Sequence, residues 1–234
     1  MNLVIEYFNS LNHMRNGEYL YCLHQNLSNE YIENIYLFME EDAELNFDSP
    51  KIKKILVDKR PTYQDIFEYC NQNMKDKICI VANADIIFDD TLRYFKSIDM
   101  EKVFYAITRW EISTGDGKNW EIEPFDNAAS QDAWVFKTPV LTSDDMDYTM
   151  GVSGCDNKIA YHMRDLGYVC RNPGKKVITI HFHISNFRTY SPTDDRVPGP
   201  YLLIAPVDNF NGTPNYIEID GFDDQGRPYR KVVQ

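Results

Sequence analysis

The residues best suited to chemistry follow a short apolar run in the first half of the chain. Residues 78–82 read Ile-Cys-Ile-Val-Ala, and Asn83, Ala84 and Asp85 come directly after them. Side chains two residues apart on an extended segment point to the same side. An amide and a carboxylate at the end of a buried strand lie where an open α/β sheet binds its ligands. Asp85 is therefore a candidate for binding a charged ligand.

Two histidines near residue 180 are candidate partners for that carboxylate. In the predicted strand 177–184, His181 and His183 alternate with apolar residues and share one face. An ionised carboxylate among apolar residues needs a partner, and imidazole is a common metal ligand. A site built from Asp85, His181 and His183 suits Mn²⁺, or else Mg²⁺, with phosphate oxygens and waters as further ligands. A His-x-His pair also begins the metal motif of cupins, but that fold needs an all-β chain.

Two further acids precede predicted elements. Asp156 opens a predicted helix, where capping alone would explain it. Asp132 precedes a short predicted strand, where an ordinary surface acid is an equally good interpretation. Anionic ligands also need cationic partners, although a single arginine is more often a solvated surface charge. The candidate anion clamps are Arg60, Arg109 and Arg188.

The elements that must position these residues alternate between strands and helices. Strands are predicted at 3–8, 35–39, 52–57, 78–82, 103–110, 133–136, 168–171, 177–183, 201–204 and 216–219. Helices are predicted near 17–27, 90–98, 141–148 and 156–166, with another opening at the capping pair Thr62 and Asp65. This alternation predicts an α/β protein with a mostly parallel, three-layer sheet. Residues 114–130 are expected to form an irregular loop.

The composition narrows the class of protein. The chain has 234 residues, 43% of them apolar, which excludes a mainly disordered state. The net charge of −12 repels nucleic acids and acidic membrane surfaces, so we expect no nucleic-acid partner. Five cysteines without a Cys-x-x-Cys pair argue against a zinc site or a disulfide framework. With neither a signal peptide nor a long apolar span in the sequence, we expect a cytoplasmic location.

Taken in order, these features resemble the GT-A glycosyltransferases, which are nucleotide-sugar-dependent enzymes with a Rossmann-like fold. Residues 83–85, Asn-Ala-Asp, resemble the metal-binding Asp-x-Asp motif of that family. Residues 154–168, Gly-Cys-Asp-Asn-Lys-Ile-Ala-Tyr-His-Met-Arg-Asp-Leu-Gly-Tyr, resemble the segment of inverting members in which a catalytic acid opens a helix. Residues 181–183, His-Phe-His, are similar to the late histidine that completes the metal site. The run 181–190 is also similar to small bacterial and algal-virus glycosyltransferase domains.

The resemblance covers about residues 1–190 and implies a division of the chain. Residues 1–100 would form the nucleotide-binding half of a GT-A domain, and residues 101–190 the acceptor and catalytic half. Residues 191–234, which are punctuated by prolines, would form an extension packed on that domain. Two positions depart from the family pattern. Asn83 replaces the first aspartate of the motif, and Cys155 stands where many relatives carry glutamate.

The resemblance also implies an activity and roles for residues. It implies metal-dependent transfer of a sugar from a nucleotide diphosphate sugar, most simply a UDP-sugar, to a hydroxyl of a glycan or other acceptor. Asp156 would act as the general base of an inverting reaction, with Asp132 as a second catalytic candidate. The metal, Mn²⁺ or Mg²⁺, would be bound by Asp85 with His181 or His183. The expected donor contacts are Asp58, Arg60, Asn83, Ala84, Asp85 and Arg188.

Three alternatives stay open. A retaining glycosyltransferase would share the fold, and analysis of the product anomer distinguishes it. A sugar-1-phosphate nucleotidyltransferase shares the architecture but carries a glycine-rich, arginine-containing loop after its first strand, which residues 9–17 do not supply. A non-catalytic module that binds a nucleotide sugar or a glycan is the third alternative, and Asn83 in place of aspartate is its motivation.

Overall fold

The computed structural model of the chain describes residues 1–113, 120–187, 196–223 and 225–230. The α-helices are α1 (His13–Ser28), α2 (Tyr63–Asn73) and α3 (Cys155–Asp165), and 3₁₀ helices cover Asp90–Lys96 and Asp144–Met146. The strands, in chain order, are β1 (Asn2–Glu6), β2 (Asn34–Met39), β3 (Ile52–Leu56), β4 (Ile78–Ala82), β5 (Ile86–Phe88), β6 (Val103–Ile107), β7 (Trp110–Ser113), β8 (Glu121–Pro124), β9 (Ala133–Lys137), β10 (Val169–Arg171), β11 (Thr179–His181), β12 (Tyr201–Ile204), β13 (Tyr216–Ile219), β14 (Gly221–Phe222) and β15 (Pro228–Tyr229).

The main sheet contains seven of the described strands, in the order β10-β6-β9-β4-β1-β2-β3. Neighbouring strands are parallel, except that β9 runs antiparallel to both β4 and β6. The apolar run of β4 is almost entirely buried, as expected for a strand covered by helices on both faces. The predicted α/β class with a mostly parallel central sheet is therefore confirmed.

Alternate residues of the central strands supply two hydrophobic cores, one on each face of the sheet. Leu3 and Ile5 of β1 belong to one core together with Leu23 of α1. Val4 belongs to the other, together with Phe67 of α2. Burial of each such side chain contributes about 1.5–3 kcal/mol. The two cores fix the sheet between its helices, so the carboxyl ends of the strands form a rigid edge.

Side-chain caps start α1 and α2, but the helix predicted at 141–148 is absent. Thr62 and Asp65 form the predicted capping box at the start of α2. Residues 141–148 contain only a 3₁₀ turn rather than a helix. The backbone amide of Val140 is taken by the side chain of Asn71, at 2.7 Å, and the amide of residue 141 by a tyrosine hydroxyl at 3.0 Å. These bonds attach the start of the segment to α2 and to Tyr168.

A second, smaller sheet positions much of the site, and the sequence did not predict it. Its strands lie in the order β5-β11-β7-β8. The predicted strand 103–110 is divided into β6 and β7, because Thr108 leaves the main sheet and bonds to Asn172 and Thr179 instead. Part of the predicted loop 114–130 is strand β8, paired with β7, while residues 114–119 lie outside the described part of the chain.

The C-terminal part contributes the hairpin of β12 and β13. Leu202 and Ile204 of β12 are fully buried and join the core that contains α3. The division into a domain at 1–190 and an extension at 191–234 stays a prediction. Within the described ranges, no helix has both the length and the apolar character needed to cross a membrane.

Candidate active site

The strand register of the second sheet brings together residues that are far apart in the chain. His181 of β11 is paired with Ile86 of β5 on one side and with Glu111 of β7 on the other. The backbone amide of Phe182 donates to the carbonyl oxygen of Asp85 at 2.8 Å. Because β5 begins one residue after Asp85, this pairing places the Asp85 carboxylate beside the His181 ring.

Asp85, His181 and His183 converge as the sequence predicted. One ligand atom from each lies within 4.8 Å of the others. Asp85 Oδ2 lies 3.2 Å from His181 Nε2 and also accepts a hydrogen bond from the Arg15 guanidinium. His183 Nε2 lies 3.0 Å from the carbonyl oxygen of Phe187. A carbonyl oxygen can only accept, so Nδ1 is the nitrogen of His183 that carries the lone pair.

The second oxygen of the Asp85 carboxylate shows that these residues fit a divalent cation. Asp85 Oδ1 is buried, and no hydrogen-bond donor among the described residues reaches it. A buried carboxylate oxygen without a partner is costly, and a cation would satisfy it. One carboxylate with two imidazoles is a donor set that suits Mn²⁺ and related ions. Asp85, His181 and His183 would hold such an ion.

Glu111 is a site residue that the sequence reasoning missed. Its Oε2 lies 3.1 Å from His181 Nδ1, and its Oε1 accepts from Arg109 Nε at 2.6 Å. A histidine that binds a metal usually donates its other ring N–H to a carboxylate of this kind. Arg109 and Glu111, two residues apart, could have indicated a strand face with paired charges. The single predicted strand 103–110 ended before Glu111.

The two carboxylates beside His181, those of Asp85 and Glu111, both have lowered pKa values and stay ionised. Burial alone would raise the pKa of Asp85, but the hydrogen bond and charge of His181 and the charge of Arg15 hold it well below its usual value. The hydrogen bond from His181, with Arg109, lowers the pKa of Glu111 to about 2. Burial opposes protonation of His181, yet its bonds to both carboxylates raise its pKa to about 9.

Asp132 is buried rather than a surface acid. Because β9 runs antiparallel to β4, its start lies beside the end of β4, where Asn83 follows. Asn83 Nδ2 donates to Asp132 Oδ1 at 3.1 Å, and Arg109 Nη1 lies 3.2 Å from the same oxygen. The Ser130 hydroxyl lies 3.3 Å from Oδ2. The Asp132 carboxylate therefore joins Asn83 to Arg109.

Asp156 lies in the first turn of α3, and capping does not explain it. Gly154, in a left-handed conformation with φ of 83°, is the capping residue. Asp156 Oδ1 accepts from the amide of Asn157 at 2.9 Å, and Oδ2 from the amide of Gln131 at 3.3 Å. Burial, together with the nearby charge of Asp132, raises the pKa of Asp156 to about 7. A carboxyl group with that pKa is suited to exchange a proton near neutral pH.

Two adjoining cavities connect these groups. The larger, of about 680 Å³, is lined by Asp85, His181 and His183 among others. The smaller, of about 360 Å³, is lined by Asp156. The wall that the two cavities share includes Asn83, Arg109 and Asp132.

Only some of the predicted donor contacts line the larger cavity. Arg60 lines the larger cavity, where Glu6 binds its Nε at 2.5 Å and the Met150 carbonyl accepts from its Nη2 at 2.7 Å. Ala84 lines the same cavity. Asp58 is exposed and is not among the described residues that line either cavity. Arg188 lies outside the described residues.

Comparisons with known proteins bear on the fold. No protein-family model matches the chain, and no curated protein matches its sequence. Among solved structures, it is similar to a mannosyltransferase from Pyrobaculum calidifontis in complex with GDP-Man and Mn²⁺, with 11% identity and a TM-score of 0.50 over 77% of this chain and 56% of that one. It is also similar to the bifunctional IspDF from Campylobacter jejuni, with 12% identity and a TM-score of 0.44 over 74% of this chain and 48% of that one. The chain thus spans about half the length of each. The first likeness shows that the chain has the Rossmann-like GT-A fold.

Proposed function

We propose that this protein is a metal-dependent glycosyltransferase that transfers a sugar from a nucleotide diphosphate sugar to an acceptor hydroxyl. The observation that carries the proposal is the convergence of the Asp85 carboxylate with two imidazoles beside a cavity of about 680 Å³. The buried Oδ1 of that carboxylate has no hydrogen-bond partner among the described residues. That cavity lies at the carboxyl ends of the strands, where α/β sheets bind nucleotides. The fold shared with a mannosyltransferase that was solved in complex with GDP-Man and Mn²⁺ supports the same substrate class.

The donor would occupy the larger cavity. Asp85, His181 and His183 would hold Mn²⁺ or Mg²⁺ there, and the cation would neutralise the charge that develops on the departing nucleoside diphosphate. Arg60 supplies a positive charge on the same cavity wall. Its guanidinium is oriented by Glu6 and is ready to contact a phosphate. We propose a UDP-sugar as the donor.

The acceptor would enter the smaller cavity. Asp156 would take the proton of the acceptor hydroxyl as that oxygen attacks the anomeric carbon. The new bond joins the acceptor oxygen to the sugar, and the bond between the sugar and the diphosphate breaks, with its electron pair leaving on the diphosphate. One displacement of this kind inverts the anomeric centre. A pKa of about 7 leaves much of the Asp156 carboxyl ionised at neutral pH.

Asp132 and Asn83 take supporting roles in this proposal. The Asp132 carboxylate is already bound by Arg109, Asn83 and Ser130, so its oxygens are occupied. We propose that Asp132 positions Arg109 between the two cavities instead of accepting a proton. Asn83 donates to Asp132 through its amide nitrogen, and its amide oxygen would contact the donor.

A screen of donor hydrolysis tests the proposal without a known acceptor. Purified protein is incubated with UDP-, GDP- and dTDP-sugars in the presence of Mn²⁺, and release of the nucleoside diphosphate is measured. We expect slow hydrolysis of one donor, which stops when Mn²⁺ is chelated. Turnover of no donor, with nucleotide binding retained, would favour the non-catalytic binding module. Nuclear magnetic resonance of the product anomer then separates inversion from retention.

A further inference from the structure

The first turns of α1 carry an ion pair that the proposed reaction does not use. Arg15 Nη1 donates to Glu18 Oε2 at 2.7 Å, and the two side chains are only 9% and 5% exposed. Asn12 starts the helix, because its side chain accepts from the amides of Met14 and Arg15. The pair therefore sits at a fixed place beside the larger cavity, which Arg15 lines.

This ion pair contacts the candidate metal site on both sides. Arg15 Nη2 donates to Asp85 Oδ2, and Oδ1 of the same carboxylate has no hydrogen-bond partner among the described residues. Glu18 Oε1 accepts from the backbone amide of Ser185 at 2.6 Å, and Glu18 Oε2 lies 3.0 Å from the Ser185 hydroxyl. Ser185 comes two residues after His183. Glu18 thus binds the segment that carries the third candidate ligand.

The segment around His183 depends on such an anchor. His183 lies two residues beyond the end of β11, so the ladder of the second sheet does not hold it. Ile184 is 47% exposed and Phe187 is 37% exposed. Asn186 has a φ of 52°, and the turn it makes brings the Phe187 carbonyl to His183 Nε2. Ser185 is the point at which this turn is bonded to a helix.

We propose that Glu18 is a positioning residue, which keeps His183 within reach of the cation by clamping the amide and hydroxyl of Ser185 to helix α1. This inference rests on the proposed metal site. Arg15 completes the arrangement, because one guanidinium orients both Glu18 and the Asp85 carboxylate. Carboxylates and histidines that bind metals are usually oriented by partners of this kind.

The charge state of Glu18 is consistent with this role. Burial would raise its pKa, but hydrogen bonds from Arg15 and from Ser185 lower it below the usual value. Glu18 is therefore an ionised acceptor, and its bonds to Ser185 are charge-assisted. Buried ion pairs add little to stability on average, so the orientation of the bonded groups is the more useful contribution.

Counting the imidazole ligands of bound Mn²⁺ tests the inference. Pulsed electron paramagnetic resonance detects the nitrogens coupled to the ion, and calorimetry gives its affinity. We expect two imidazoles in the wild type and one in Glu18→Gln, with an affinity loss of about 10–100-fold. His183→Ala should give the same spectrum, and adding Glu18→Gln to it should cause no further loss. Glu68→Gln, a glutamate on α2 that bonds to Gln64 at 2.9 Å, is the matched control and should change nothing.

Other outcomes overturn the inference in distinguishable ways. Two imidazoles and wild-type affinity in Glu18→Gln would refute the clamp and leave the metal site standing. Losses that add in the double variant would show that Glu18 acts independently of His183. A wild-type protein that binds no Mn²⁺ would remove the proposed metal site and the clamp together. Should Glu18→Gln fail to fold, Ser185→Pro removes both the amide and the hydroxyl that Glu18 binds and keeps the ion pair. This variant must still weaken Mn²⁺ binding, and an unchanged affinity would refute the clamp.

Discussion

Two carboxylates, Asp85 and Asp156, lie in adjoining cavities, and their surroundings affect their charge in opposite ways. Asp85 contacts His181 and Arg15, and its interactions with these two side chains lower its pKa despite burial. Asp156 forms no ion pair within the part of the chain that the structure describes. Among these described residues it accepts hydrogen bonds only from backbone amides, and burial raises its pKa to about 7.

The difference assigns different chemistry to the two acids. A carboxylate that stays ionised can bind a cation or a developing charge, while one that titrates near neutral pH can carry a proton. Arg109 and Asp132 lie between them and line both cavities. The comparison therefore predicts that changes at Asp85 affect metal and nucleotide binding, and that changes at Asp156 affect the rate of transfer.

Asp156→Asn should have the largest effect. Without a proton acceptor, the turnover of donor should fall by about 100- to 10,000-fold, while nucleotide affinity stays the same. Steady-state kinetics and calorimetry measure the two quantities separately. Asp165→Asn, an exposed acid at the other end of α3, is the matched control and should leave turnover unchanged. Normal turnover in Asp156→Asn would place the base elsewhere.

Glu111→Gln should weaken the binding of Mn²⁺ at the site that contains Asp85. Glutamine cannot give His181 a charged partner, so the ring loses its fixed orientation and the affinity for Mn²⁺ should fall by about 10–100-fold. Calorimetric titration with Mn²⁺ measures the change. Glu121→Gln, on the exposed strand β8 of the same sheet, serves as the control. Equal affinities in both variants would mean that Glu111 does not orient a metal ligand.

The pH dependence of donor turnover should follow the ionisation of Asp156. A general base must be ionised, so turnover at low donor concentration should rise about tenfold per pH unit below a pKa of about 7 and level off above it. Initial rates at several pH values, with Mn²⁺ saturating at each, give the profile. A rate that is flat through this range would show that no such ionisation controls the reaction.

Asn83→Asp should have the smallest effect, although residues 83–85 would then read Asp-Ala-Asp. The new carboxylate would face the Asp132 carboxylate, where the Asn83 amide now donates at 3.1 Å. We expect no gain in Mn²⁺ affinity and a loss of about 1–2 kcal/mol in the free energy of unfolding. Urea denaturation and calorimetry test both. A gain in affinity of about tenfold, or 1.4 kcal/mol, would show that residue 83 faces the cation.

The sequence predicted the fold class and the meeting of Asp85 with His181 and His183. Alternating strands and helices indicate a parallel sheet, and polar residues at strand ends indicate the edge at which ligands bind. These are local patterns, so they can be read without knowing the packing. The alternative of a surface acid at Asp132 was wrong, because antiparallel β9 brings its start against the end of β4.

Local sequence patterns could not predict the residues that orient the candidate metal ligands, which are Glu111, Arg15 and Glu18. Glu111 reaches His181 only because β11 lies between β5 and β7, a register that no local pattern specifies. Arg15 and Glu18 are three residues apart on α1, which is ordinary for an exposed ion pair. Their burial depends on how α1 packs against β5 and on the turn at Ser185.

Calorimetric titration of nucleoside diphosphate into the protein, with and without Mn²⁺, tests the central claim that Asp85 holds a cation against the donor. The account predicts that UDP or the preferred diphosphate binds the wild type at least about tenfold more tightly with Mn²⁺, a difference of about 1.4 kcal/mol. In Asp85→Asn, shown to be folded by circular dichroism, Mn²⁺ should make no difference. Binding that is indifferent to Mn²⁺ in the wild type and unaltered by Asp85→Asn would contradict the account.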